Sequence, residues 1–311
     1  MKERYRPLHI NKETKVLHRQ FFICFCLFIL IALSAQAFPP SSPAGGNYLV
    51  LDGVDDYAVL DFEAFGILLP EGTDEFTVEA WVYPTQPPAK NMSATILSQQ
   101  VRITVASDKD EKLQRIKNFI DWQKGDLLLI IDAHVAGWGG GGTTPFKPMT
   151  LAPNQWHHIA YQAKRRETIT IANDLAKILP QGTTIGHDLS KFWRPKDFTL
   201  GGFGKKIEVP NAGNYFWGSF TGYIDEVRIS TVARYDVTKQ NFTPNEKFKE
   251  DGKTVALWHF DEPGGMRKFS DASGNAYHLV GKNGAKTGIP LTVAPMGKLT
   301  TIWGSMKHRN N

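Results

Sequence analysis

Residues 218–230 read Gly218-Ser219-Phe220-Thr221-Gly222-Tyr223-Ile224-Asp225-Glu226-Val227-Arg228-Ile229-Ser230. From Tyr223 onward the pattern alternates: Ile224, Glu226, Arg228 and Ser230 fall on one side, Asp225, Val227 and Ile229 on the other. That is the repeat of a β-strand, whose successive side chains point to opposite faces. A glutamate and an arginine two apart, backed by β-branched residues and an aspartate, need partners on other strands. The candidates lie far back in the chain, at Asp52-Gly53-Val54-Asp55-Asp56-Tyr57 and Phe76-Thr77-Val78-Glu79-Ala80-Trp81-Val82. The expected fold therefore joins its first and last strands.

At 311 residues the chain has ample material for one large all-β domain. Its formal charge of +5 is concentrated at the start, where residues 1–37 hold six Lys/Arg against Glu3 and Glu13. The remaining 30 basic and 29 acidic residues nearly balance, which gives little support to nucleic-acid binding through a basic surface. Residues 21–33 form an apolar run of 13, followed by Ser34-Ala35-Gln36-Ala37. A basic stretch, an apolar run and small residues in that order read as a signal peptide over 1–37, cleaved after Ala37. The alternative is an uncleaved anchor, but 13 helical residues reach about 20 Å, short of the roughly 30 Å hydrocarbon core. No membrane insertion is expected after cleavage. Both cysteines, Cys24 and Cys26, lie in the apolar run, so the exported chain has no disulfides to stabilise it.

Residues 38–47 read as a flexible leader, with order beginning at Tyr48. Tyr48-Leu49-Val50-Leu51 and Tyr57-Ala58-Val59-Leu60 are short strands around the Asp52-Gly53 turn. From Phe76 to Tyr83 the alternation is clean and both faces carry large groups, as expected of a central strand between a core and a covering layer. Helical spacing of Leu113, Ile116 and Ile120 suggests a helical insertion at 109–122, though a polar hairpin fits the neighbouring strands as well. Further strands with turn punctuation follow to 254–260, and together they specify an all-β antiparallel two-sheet sandwich.

With these stretches assembled, the sequence resembles the LamG-like jelly-roll family of the concanavalin A-like lectin/glucanase group. Five landmarks carry the resemblance in the family's order: Leu51-Asp52-Gly53-Val54-Asp55-Asp56-Tyr57, Phe76-Thr77-Val78-Glu79-Ala80-Trp81-Val82-Tyr83-Pro84, Trp156-His157-His158-Ile159-Ala160, Phe198-Thr199-Leu200-Gly201-Gly202 and 222–230. A sixth, Trp258-His259-Phe260-Asp261-Glu262 with Asp271-Ala272-Ser273-Gly274-Asn275, precedes the Asp-Gly turn in many members and follows it here. The order reads as a permutation, or as the start of a lost second copy. The domain expected is 48–281, with 282–311 a tail.

The resemblance implies an exported module that recognises a glycan or an extracellular protein. It also implies Ca2+ at the Asp-Gly turn and the penultimate strand, which singles out Asp52, Asp55 and Asp225, with Asp56 next and the 271–275 loop as a second oxygen-rich place. Glu79 and Arg228 read as a cross-strand structural pair. Hydrolysis would need a second carboxylate in one cleft, for which Glu75 and Glu79 are the nearest approach, and the acid run that retaining glucanases of this group carry along one strand does not occur. Sugar stacking needs exposed aromatics, and Trp138, Trp193, Tyr215 and Trp217 sit in loop-like surroundings. The histidines, His278 among them, form no zinc-like spacing.

Overall fold

The structure is a computed structural model that describes residues 41–107, 125–133, 149–165, 167–179, 195–210, 212–238 and 242–289. The possible helical insertion, Trp138 and Trp193 lie outside them, as do residues 1–40. The regular secondary structure of the described chain is almost all strand. In order it forms β1 (Tyr48–Asp52), β2 (Tyr57–Leu60), the one-turn helix α1 (Phe62–Phe65), β3 (Glu75–Pro84), β4 (Met92–Ser98), β5 (Val101–Ser107) and β6 (Leu127–Ala133). It continues with β7 (Met149–Leu151), β8 (His157–Lys164), β9 (Glu167–Ala172), β10 (Leu175–Leu179), β11 (Phe198–Leu200), β12 (Ile207–Glu208) and β13 (Phe216–Ser219). The last five are β14 (Thr221–Ser230), β15 (Thr254–Trp258), β16 (Lys268–Phe269), β17 (Leu279–Lys282) and β18 (Lys286–Gly288).

Two sheets result. The first runs β10-β9-β8-β3-β14-β1-β18, with β15 also on β14. The second runs β16-β17-β2-β11-β4-β5-β6-β7, with β12 and β13 attached beside β4. All pairings are antiparallel except β13 with β4. The five landmark stretches fall on or beside β1, β3, β8, β11 and β14, and the two antiparallel sheets form a jelly-roll sandwich. First and last strands meet as expected, with Leu49 opposite Ile224 and Val82 opposite Ile224 on the other edge.

The core lies between the sheets. Phe76, Val78, Ala80 and Val82 point inward from β3, as their alternation predicts, and meet Leu60, Ile103, Val105 and Leu200 from the second sheet. Trp258 crosses from β15 and stacks on Phe198 with ring centroids 5.1 Å apart.

Strand β14 departs from the alternation read in the sequence. Its register to β3 passes from Asp225 opposite Trp81 to Arg228 opposite Glu79, three residues against two. Glu226 takes the extra place at φ +50°. This bulge turns Val227 and Ile229 to the same buried side as Ile224, while Arg228 remains outside. Along one edge β14 is shared by two strands, β1 up to Ile224 and β15 from Val227, so Asp225 and Glu226 lie at the seam between them.

Both expected boundaries move outward. Residues 41–47 are docked: Ser42 is buried, and Asn47 Nδ2 donates to the Glu262 carbonyl at 2.7 Å. Order begins before Tyr48 because this stretch packs along the β14–β15 seam. At the other end β18 pairs with β1, Leu49 facing Thr287, so the sandwich runs to Gly288 and not to 281. The sixth landmark completes the same sandwich, since β15 pairs with β14 and β17 with β2.

Candidate ligand-binding site

Residues after β14 cover the outer face of the first sheet over β3 and β8: Thr77 Oγ1 donates to the Val232 carbonyl at 2.8 Å, Gln162 Nε2 to the Tyr235 carbonyl at 2.9 Å and Trp81 Nε1 to the Asn245 carbonyl at 3.1 Å. Beneath them Glu79, 0% exposed, meets Arg228. Arg228 donates to Glu79 Oε1 through Nε at 2.8 Å and Nη2 at 2.7 Å. Oε2 takes the Tyr235 hydroxyl and His158 Nε2, the latter at 3.1 Å. Burial alone would raise the carboxyl's pKa, but the hydrogen bond from His158, the Arg228 charge and the Tyr235 hydroxyl together hold it below its ordinary value. With both oxygens engaged and no exposure, Glu79 is out of a substrate's reach.

The proposed calcium ligands fall in two places. Asp52, Asp55 and Asp56 each bring a carboxylate oxygen within 4.8 Å of the others. Asp52 stands opposite Thr221, four residues before Asp225 on β14, or about 13 Å at the usual strand rise. Much of the turn's oxygen is already engaged. Asp52 Oδ1 accepts the Val54 amide at 2.7 Å, and Asp56 accepts the Gly284 amide at 2.5 Å and the Asp52 amide at 3.2 Å. The 271–275 loop is likewise self-sufficient: Asp271 accepts the Leu257, Ser273 and Tyr277 amides. Asp225 differs. It is 0% exposed at the seam, Oδ1 accepts the Glu226 amide at 2.8 Å, and Oδ2 has no hydrogen-bond partner. Burial drives its pKa well above the ordinary carboxylate value. The Ser42 hydroxyl and the Glu226 amide oppose the rise, and the charges of Glu226 and Asp261 add to it.

The outer face of the second sheet carries a row set by register: Lys268, Val280, Val59, Thr199, Ser98, Arg102 and Asp132. Cross-strand partners share a face, so these seven side chains form one line across seven strands. The line is closed at one end. Arg102 Nε donates to Asp132 Oδ2 at 2.9 Å, and its guanidinium carbon lies 3.0 Å from the centroid of the Trp217 ring. Trp217 is only 6% exposed, so that ring face is taken by Arg102, and Tyr215 is half-buried beside it.

The other end of the line opens into a depression of about 360 Å³, lined by Lys268, Phe269, Ser270, His278, Leu279 and Val280. Strands β16 and β17 place these groups, with Phe269 and Leu279 turned to the core and Lys268 and Val280 turned out. Val280 is 38% exposed and makes an apolar wall. His278 Nδ1 accepts the Asp271 amide at 3.0 Å, which fixes the neutral ring as the Nε2–H tautomer and leaves that N–H to donate. Next to His278, Tyr277 meets the half-exposed ring of Phe65 edge-on at 6.0 Å. Sequence reading passed over this place. The zinc-like spacing that would single out His278 is absent, and the signal the sequence carries is Val280, an apolar residue outside the inward alternation of Leu279 and Gly281.

No family model matches the chain, and no curated protein matches it. Among solved structures it is similar to a provisionally named carbohydrate-binding protein from Bacteroides ovatus, at 16% identity and TM-score 0.47 over 79% of this chain and 60% of that one. It is also similar to LG domains 4 and 5 of the mouse laminin α1 chain, at 13% identity and TM-score 0.35 over 68% and 48% of the two chains. A third likeness is domain 4 of an extracellular arabinanase from Geobacillus stearothermophilus, solved with arabinotriose, at 16% identity and TM-score 0.33 over 67% and 91%. The chain thus spans 60% of the length of the first of these proteins and about half of the laminin fragment. These are likenesses of fold, and what this chain binds rests on its own residues. Among the described residues no helix is long and apolar enough to cross a membrane.

Proposed function

We propose that the chain is an exported, non-catalytic module that binds carbohydrate in the depression between β16 and β17. The observation that carries this is the make-up of the depression: a volume of about 360 Å³, within the range of small-ligand sites, with an apolar wall at Val280 beside the hydrogen-bonding groups of His278, Ser270 and Lys268. A sugar ring has apolar faces and a polar rim, and matches that mixture. Export rests on the basic, apolar and small-residue order of residues 1–37. A non-catalytic role is supported by the closure over Glu79. A glycan array tests the proposal: the wild type is expected to bind a defined set of saccharides and Val280→Trp, which fills the depression, to lose them at an unchanged melting temperature. Undiminished binding by Val280→Trp would place the ligand elsewhere.

A calcium ion at the seam is the structural half of the proposal. Asp225, with Ser42 beside it, would hold the ion, which supplies positive charge to a buried carboxylate crowded by Glu226, while Asp261 is already paired with Lys247 Nζ at 2.7 Å. The partnerless Oδ2 supports Asp225 over the turn carboxylates. Chelation is expected to destabilise the calcium-loaded protein by about 4 kcal/mol when free calcium is about a thousandfold above its dissociation constant. Asp225→Asn should abolish that response, and Asp52→Asn should leave it intact. Identical melting with and without chelator would remove calcium from the account.

A further inference from the structure

We infer that the depression between β16 and β17 selects an acidic saccharide, one presenting a carboxylate to Lys268 and His278. The inference rests on the carbohydrate reading and narrows it. The depression offers donors at Lys268 and His278 and no carboxylate: none of the six lining residues is acidic. The two acids nearest in sequence are engaged with backbone amides, Glu262 Oε1 with Ser270 at 2.6 Å and Asp271 with Leu257, Ser273 and Tyr277.

Between residues 261 and 289 the exposed cations are Arg267, Lys268, Lys282 and Lys286, and the acids are Asp261, Glu262 and the buried Asp271. Lys282 stands opposite Tyr57, close to the acidic turn, and Arg267 donates to the Asn283 carbonyl at 2.7 Å. Lys286 stands opposite Val50 in the other sheet, and of the four Lys268, the cross-strand partner of Val280, lines the depression. The exposed ammonium of Lys268, set beside the apolar wall of Val280, attracts an anion and repels a cation. The tautomer of His278 fixes the direction of its bond: Nδ1 accepts from Asp271, so Nε2 can donate to an anionic oxygen. A neutral sugar would engage the same Nε2–H and Val280, but would leave the ammonium of Lys268 without a counter-charge.

The test uses the full exported chain and two probes, an oligogalacturonide and the same oligosaccharide with its carboxyls reduced to neutral alcohols, compared by titration calorimetry. The acidic form is expected to bind about tenfold tighter, the usual scale for a hydrogen bond to a charged group. Lys268→Ala should erase the difference by weakening the acidic form alone, Lys268→Arg should keep most of it, and raised salt should narrow it. Because Lys268 is exposed, both variants are expected to melt with the wild type. Equal binding of the two probes would overturn the selectivity and leave the carbohydrate reading standing, as would array binding to neutral glycans with neither probe bound. Absence of binding to any saccharide would overturn both.

Discussion

Glu79→Ala is expected to cost the fold about 3–5 kcal/mol in chemical denaturation, the usual loss when one partner of a buried ion pair is removed. Glu79 sits on the central strand β3 with Arg228 across from it on β14, so its removal strands a guanidinium beside Phe248 and the Lys249 carbonyl. His158 and the Tyr235 hydroxyl lose their common acceptor at the same time. The cost is therefore the desolvation of groups left behind, and Glu79→Gln, which keeps the shape, should recover only part of it. The effect should also depend on pH. A carboxyl held below its ordinary value of 4.5 contributes stability fully above that value and loses it as pH falls through the folded pKa. The wild type should thus weaken below about pH 4.5 more steeply than Glu79→Ala. A loss under about 1 kcal/mol, as for an exposed pair, would contradict the burial of this network.

Gly222→Ala should be nearly as damaging, at about 3 kcal/mol from overpacking together with backbone strain. Gly222 lies at φ +148°, and a Cβ there would stand 2.1 Å from the Tyr83 carbonyl oxygen and 3.1 Å from the Phe220 ring. The oxygen is backbone on β3 and cannot swing aside, so two central strands of the first sheet would have to part. Gly252→Ala is the matched control. No atom lies within 4 Å of its would-be Cβ, and a change within about 0.5 kcal/mol is expected there. Equal effects at the two positions would mean that β14 and β3 do not approach as described.

The sandwich was legible because its central strands obey the two-residue period over long stretches. Phe76, Val78, Ala80 and Val82 point inward as their spacing says, and Glu79 and Arg228 meet across the sheet. The bulge at Glu226 was not legible. One extra residue changes which side chains share a face, and neither glutamate nor its neighbours carry the glycine that usually marks such a place. Nor was the docking of residues 41–47. Their Pro, Ser and Gly composition describes an isolated chain as flexible, whereas Ser42 and Asn47 are held by groups more than 180 positions away. For the site, single residues were read well only where local pattern decides. Trp217 reads as a loop aromatic, yet Arg102 from another strand covers it. The depression is built by pairing between two short strands near the end of the chain, and its donors Lys268 and His278 become neighbours only once β16 and β17 are side by side.

Saccharide binding at the β16–β17 pair can be read residue by residue from amide chemical shifts during titration with the best array ligand. Saturable shifts are expected at Lys268, Ser270, His278 and Val280, with Tyr235 and Phe248 unmoved. Saturable shifts centred on the 52–56 turn, or on Tyr215 and Trp217, with 268–280 silent, would contradict it.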